Sequence, residues 1–444
     1  MKQLFKKTIP LFAAVFISSL FFAACGKEAA IRYDLSADAG TAARYPDVFF
    51  AVISDTHAYD PELGSSGSAF EKVLLSDRKL LLDSINLLDY AIEEIIASGV
   101  SFVLISGDLT KDGELVNHRI VAEKLKKLTD ANIQAYVIPG NHDINNPDAA
   151  RFLGDNTENV ASVSAGEFAQ IYGDFGYNAA FMRDGDSLSY AVEPAEGLWL
   201  LALDACRYRE NVPGKEEIVS GKISQTTADW IAEMLREAAA RNKAVMVMIH
   251  HGVVEHWKGQ SKLHPDYLIL GYAGLSEFFA SMNVRIAFTG HYHAQDIVRA
   301  EYNGKFIYDV ETGSLVTAPC PIRYVQINDN AANIRTDMIV DRLYPGTDFA
   351  DNAHAFVKKT VMLETANVLK RFLVSKKDTE IIADAVGDAF SAHYSGDENA
   401  ALRPPLDRSR LGPWGRFVLN IQQYVLDGLW ADLLPADNNA RLQL

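Results

Sequence analysis

The chain has 444 residues, 48% of them hydrophobic and 23% charged, the composition of a globular protein with one large domain and room for a smaller one. Its formal net charge is −16, and no run of Lys and Arg offsets it, which excludes a nucleic-acid polymer as partner. A small phosphorylated substrate stays open, because bound ions dominate the local field of a site.

Lys2, Lys6 and Lys7 form a positive start, Ile9 to Ala24 is almost wholly apolar, and Ala23-Ala24 precedes Cys25. This is the pattern of a secretory signal with a lipoprotein-type cleavage site, with Phe22 where Leu is usual; an uncleaved N-terminal anchor is the alternative. Residues 1–24 are expected to be the signal peptide, with Cys25 lipidated and the protein exported and held at a membrane through that anchor. Losing three lysines with residues 1–24 would take the charge from −16 to −19. Residues 25–46 read as a tether.

Val48–Ile53 is a strand leading into Asp55-Thr56-His57, and Asp77–Ser98 has helical spacing that stops at Gly99. Phe102–Ile105 leads into Gly107-Asp108, and Ile133–Ile138 into Gly140-Asn141-His142-Asp143. Strands follow at Leu188–Val192, Leu198–Leu203 and Val245–Ile249, with a helix starting near Ser224 between the last two. The last of them ends at the pair His250-His251, and Val284–Phe288 feeds Gly290-His291-Tyr292-His293. Asn303-Gly304 marks a hairpin between Ile297–Tyr302 and Phe306–Val310, and Ile322–Ile327 and Asn333–Val340 close the strand-rich part. From about Thr347 only helical periodicity remains, at Phe356–Leu373, Glu380–His393 and Trp414–Leu434. Residues 47–345 are thus expected to form one α/β domain and 346–444 a small helical domain, which holds His354 and His393 but no ligand cluster. Cys206 and Cys320 either pair or stay as buried thiols.

Ligands in open α/β sheets bind where strands end, and each Asp- or His-bearing motif directly follows an apolar strand. Together they offer enough donors for two neighbouring divalent ions, a device for hydrolysing phosphate esters. The set resembles the calcineurin-like metallophosphoesterases over roughly Val48 to Val340. That resemblance implies a four-layer α/β/β/α sandwich. It puts Asp55, His57 and His293 on one ion, Asn141, His250 and His291 on the other, and Asp108 between them with a bridging hydroxide. His142 would protonate the leaving oxygen. His250, first after its strand, is preferred to His251 as ligand. Asp143 would orient His142 or serve the turn. Imidazole and carboxylate donors suit Mn, Fe or Zn better than Mg or Ca.

Neighbouring branches lack their parts here. The segment Gly107–Gly113 has no Asp-Arg-Gly of the protein Ser/Thr phosphatases, Lys111 stands where purple acid phosphatases place a tyrosine ligand, and Asp143 replaces the nucleotidase Glu. Gly107–Thr110, Pro139–Pro147 and Tyr172–Tyr177 instead resemble bacterial class III cyclic-nucleotide phosphodiesterases, especially exported lipoprotein forms. The expected substrate is a small phosphodiester. A membrane-surface phosphatase or phospholipid-headgroup hydrolase is the alternative enzyme, and a non-catalytic binding protein the alternative class. His118 and His256, near motif segments, are candidate substrate contacts, with packing as the other reading of each.

Overall fold

In a computed structural model of the chain, the described residues are 31–35, 40–396 and 398–444. The signal peptide, Cys25 and much of the tether lie outside them. Strands run in chain order: β1 Val48–Ile53, β2 Phe102–Ile105, β3 Gln134–Val137, β4 Ala150–Leu153, β5 Asn156–Asn159, β6 Met182–Arg183, β7 Tyr190–Ala195 and β8 Leu198–Leu203. They continue with β9 Ala244–Ile249, β10 Ile286–Thr289, β11 Asp296–Tyr302, β12 Lys305–Glu311, β13 Pro321–Asn328, β14 Ala331–Met338 and β15 Asn439–Gln443.

One sheet has the order β15-β14-β13-β1-β2-β3 and the other β11-β12-β10-β9-β8-β7-β6. β1, β2 and β3 are parallel, as are β8, β9, β10 and β12. The parallel strands fill the centre of the second sheet and one end of the first, where β3 is the edge; β1, β2, β8 and β9 are covered on both faces and are continuously apolar for that reason. In β8, Leu198, Leu200 and Ala202 face the core between the sheets, while Trp199, Leu201 and Leu203 face the helices Gln225–Ala240 and Tyr272–Ser281 outside. In β9, Met246 and Met248 face inward and Val245, Val247 and Ile249 outward. This two-residue period builds two layers at once. Helices Ser84–Ser98 and Leu115–Asp130 cover the first sheet. The result is the expected four-layer α/β/β/α sandwich.

Beyond it, helices Phe349–Arg371 and Lys376–Ser395 pack against each other, and Pro413–Ile421 and Gln423–Leu429 replace the single helix expected over Trp414–Leu434. The C-terminal segment is not helical to its end. β15 returns to pair antiparallel with β14. Leu442 is its one buried side chain within Asn439–Gln443, so the strand carries no alternation to read. Cys206 and Cys320 are both free thiols. Among the described residues no helix is long and apolar enough to cross a membrane.

Candidate metal centre

The loops after β1, β2 and β3 in one sheet and after β9 and β10 in the other meet at a single point. They bring Asp55, His57, Asp108, Asn141, His250, His291 and His293 together, all of them buried. The backbone is bent to do so: Asp55, His57, Asp108, His291 and His293 have φ of 51°, 37°, 52°, 75° and 67°. That left-handed region is costly for a side-chain-bearing residue, and such strain collects at functional sites. Two glycines make the approach possible. A Cβ on Gly140 would stand 2.1 Å from Asp108 Oδ1, and one on Gly290 would stand 2.0 Å from Ser54 Oγ.

Two clusters result. In the first, Asp55 Oδ1 lies 3.3 Å from His293 Nε2 and 3.7 Å from His57 Nε2, and the two ring nitrogens are 3.2 Å apart. In the second, His250 Nε2 lies 3.3 Å from Asn141 Oδ1 and 3.3 Å from Asp108 Oδ2, with His291 close by. Asp108 Oδ2 is shared, since it is also 3.6 Å from His57 Nε2.

Each histidine is held by its other nitrogen, the device that sets tautomer and aim in metal sites. His57 Nδ1 donates to Thr110 O at 3.3 Å, His250 Nδ1 to Ser106 O at 2.7 Å and His291 Nε2 to Asp266 O at 3.3 Å. His293 Nδ1 lies 3.3 Å from Thr317 Oγ1. His251 turns away from Asp108: its Nε2 donates to Val219 O at 2.8 Å, and its ring packs on His291.

The residues present fit a pair of divalent ions. Asp55 Oδ1 is buried without a hydrogen-bond partner, and Nε2 of His57 and Nε2 of His293 face each other and that oxygen. Burial opposes charge on His250, but the Asp108 carboxylate outweighs it and raises the imidazole to about 9. Burial likewise opposes ionisation of Asp108, yet His250 and His142 hold its carboxyl well below the usual range.

His142 sits at the edge of the centre, 3.9 Å from Asp108 Oδ2. Its Nδ1 faces Asp112 Oδ1 at 3.0 Å and Glu217 Oε1 at 3.4 Å, and its Nε2 is 3.4 Å from Lys79 Nζ. Burial works against a charged ring, but Glu217 foremost, then Asp108 and Asp112, raise it to about 10. Glu217 is itself pushed up to about 7 by burial, with Asp112 and Asp108 adding to it. Asp143 does not orient His142. Its carboxylate accepts the backbone N–H groups of Gly140, Leu109 and Thr110 at 2.8, 3.1 and 3.0 Å, so its work is to fix the turn.

The two candidate substrate contacts are corrected by their burial. His118 is fully buried, its Nε2 donating to Asp143 O and its Nδ1 accepting from Tyr172 Oη, both at 2.8 Å. His256 is 1% exposed and lies among Asp296, Asp309 and Glu311. Neither presents surface to a substrate. The side chains that do surround His142 are Lys79, Asp112 and Glu217. Asp112 lies within the Gly107–Gly113 motif segment, whereas Glu217 belongs to an aperiodic loop with no sequence signal.

The family model for the calcineurin-like phosphoesterases matches residues 50–295. No curated protein matches the chain. Among solved structures, a dimetal phosphatase from Danio rerio is similar at 16% identity and TM-score 0.46, over 66% of this chain and 96% of that one. A purple acid phosphatase from yellow lupin (Lupinus luteus) seeds is similar at 13% and 0.40, over 67% and 52%. A predicted phosphoesterase from Streptococcus pneumoniae is similar at 11% and 0.28, over 68% and 95%.

Proposed function

The chain belongs to the calcineurin-like phosphoesterase family, and from that premise we propose that it is a phosphodiesterase with a dinuclear metal centre, acting on small phosphodiesters that include 3′,5′-cyclic nucleotides. Metal-dependent phosphoester hydrolysis comes with the family; the diester, the metals and the location are our reading. One observation carries it: Asp108 Oδ2 faces His57 Nε2 at 3.6 Å on one side and His250 Nε2 at 3.3 Å on the other. That is the position of a carboxylate shared by two ions.

Asp55, His57 and His293 would hold one ion, Asn141, His250 and His291 the second, and Asp108 both. Bound there, such a pair supplies Lewis acidity at the phosphoryl oxygens and an activated water. Donors of this mixture support Mn, Fe or Zn. His142 holds the proton that a leaving oxygen needs, at Nε2, while Asp112 fixes the ring through Nδ1. Lys79 Nζ, 3.4 Å from that Nε2, is placed to meet a phosphate oxygen.

Around His142 the carboxylates of Asp77, Asp112 and Glu217 are met by Lys79, Lys111 and the charged ring itself, so the preference for a diester rests on the resemblance carried by Gly107–Thr110, Pro139–Pro147 and Tyr172–Tyr177. The export signal and Cys25 support a lipid-anchored enzyme outside the cytoplasm, and this part of the reading rests on sequence alone.

The test uses the protein without residues 1–25, assayed with Mn²⁺ and with chelator. Substrates are bis-p-nitrophenyl phosphate, p-nitrophenyl phosphate, and 2′,3′- and 3′,5′-cyclic nucleotides. We expect chelator-sensitive cleavage with the diesters preferred. Preference for the monoester would replace this reading with a phosphatase.

A further inference from the structure

We propose that Asp296, His393 and Glu398 form a third divalent-metal site, distinct from the dinuclear centre, that ties the C-terminal helices to the catalytic sandwich. One donor atom from each residue lies within 4.8 Å of those of the other two. The side chains are 2%, 0% and 6% exposed. None of the three belongs to the clusters around Asp108.

The hydrogen bonding leaves buried lone pairs in the site unclaimed. His393 Nδ1 lies 2.7 Å from Glu398 Oε1, while Asp296 Oδ1, Glu398 Oε2 and His393 Nε2 are buried without partners. Beside them stands His256, whose two ring nitrogens are also unpartnered. Its Nδ1 is 3.6 Å from Asp296 Oδ1, and its Nε2 is 3.3 Å from both Asp309 Oδ2 and Glu311 Oε2. Buried polar atoms are rarely left unsatisfied, because each costs the solvation it has lost. A carboxylate offers only lone pairs and a neutral imidazole one N–H and one lone pair, so with its Nδ1–H given to Glu398 Oε1, His393 presents the Nε2 lone pair beside the unpartnered oxygens of Asp296 and Glu398. A proton can satisfy one donor and one acceptor, whereas a metal ion accepts several lone pairs together. Arg323, the buried guanidinium nearby, donates to the backbone carbonyls of Glu311 and Asp296 at 2.6 and 3.2 Å.

Two carboxylates with an imidazole suit an ion of the zinc or manganese class. Its effect would be structural. Asp296 opens β11, directly after the loop that carries His291 and His293, while His393 lies near the end of helix Lys376–Ser395 and Glu398 just beyond it. An ion here would fix the C-terminal helices to the strand that follows two ligands of the dinuclear centre.

The test is the whole chain equilibrated with stoichiometric Zn²⁺, its ions located one by one by anomalous diffraction at the zinc edge and counted by elemental analysis. We expect a peak between Asp296, His393 and Glu398, whatever occupies the dinuclear centre. The paired variant His393→Gln, Glu398→Gln should bind one ion fewer per chain while keeping phosphoester turnover. No peak at this position in the wild-type chain, or equal zinc content in wild type and a folded paired variant, would overturn the proposal. If the paired variant does not fold, the wild-type map decides alone. Activity enters neither the map nor the zinc count, so failure of the phosphodiesterase reading leaves this result standing.

Discussion

A methyl group added at Gly140 would press on Asp108 Oδ1, 2.1 Å away, and on its backbone nitrogen at 2.3 Å. Neither can yield without moving the shared carboxylate. We expect Gly140→Ala to fold but to lose turnover by at least about a hundredfold, the scale on which ångström misplacement acts, with metal content measured alongside. Asp108→Ala removes the carboxylate itself: activity should vanish and both ions bind more weakly, and wild-type turnover in that variant would refute the assignment. His142→Ala should keep its metals and lose about 10²–10⁴-fold in rate, with substrates of poor leaving group hit hardest. A loss independent of leaving-group pKa would argue that His142 only positions. A pH dependence follows from His250, raised to about 9. To bind metal it must give up its proton. Below that pKa the proton competes, so metal affinity should rise about tenfold per pH unit towards pH 9 for each proton released, as metal titrations at several pH values would show.

At the scale of elements, strands were easier to read than the connections around the site. β1, β2, β8 and β9 announce themselves because burial on both faces demands unbroken apolar runs, and β1, β2 and β9 lead directly into ligand loops. Asp77–Leu80 reads as the first turn of a helix, but the helix proper is Ser84–Ser98, preceded by a short 3₁₀ turn at Leu81–Asp83. The reason is tertiary. Lys79 reaches His142, Asp77 Oδ2 pairs with Lys79 Nζ at 3.1 Å, and Leu80 N–H donates to Val316 O at 2.7 Å. Periodicity alone cannot reveal such a detour. Nor does it show what the C-terminal helices do for this segment: Arg78 Nη1 lies 2.7 Å from Glu364 Oε2 on Phe349–Arg371. Breaking this half-buried charge pair leaves the surviving ion without its partner. Glu364→Ala should therefore loosen the Asp77–Leu80 segment, raising KM for anionic substrates several-fold with less effect on kcat; an unchanged KM would show that Lys79 is held without it.

Seen whole, the molecule divides its candidate ligands between two sheets. Asp55, His57, Asp108 and Asn141 follow strands of one, and His250, His291 and His293 follow strands of the other. Ions that bind only this arrangement stabilise it by mass action. Chelator should lower the unfolding midpoint of the wild-type chain, and lower it less in Asp108→Ala, as calorimetry would measure. The divided ligand set also makes the centre a clock for assembly. Neither sheet by itself offers a complete cluster, and the ligands span Asp55 to His293 in sequence, a loop that closes late because long-range contacts must first overcome chain entropy. If the chain refolds in the presence of Co²⁺, the visible absorption of the bound ions should appear only when one sheet docks on the other, after far-ultraviolet circular dichroism has recorded the secondary structure.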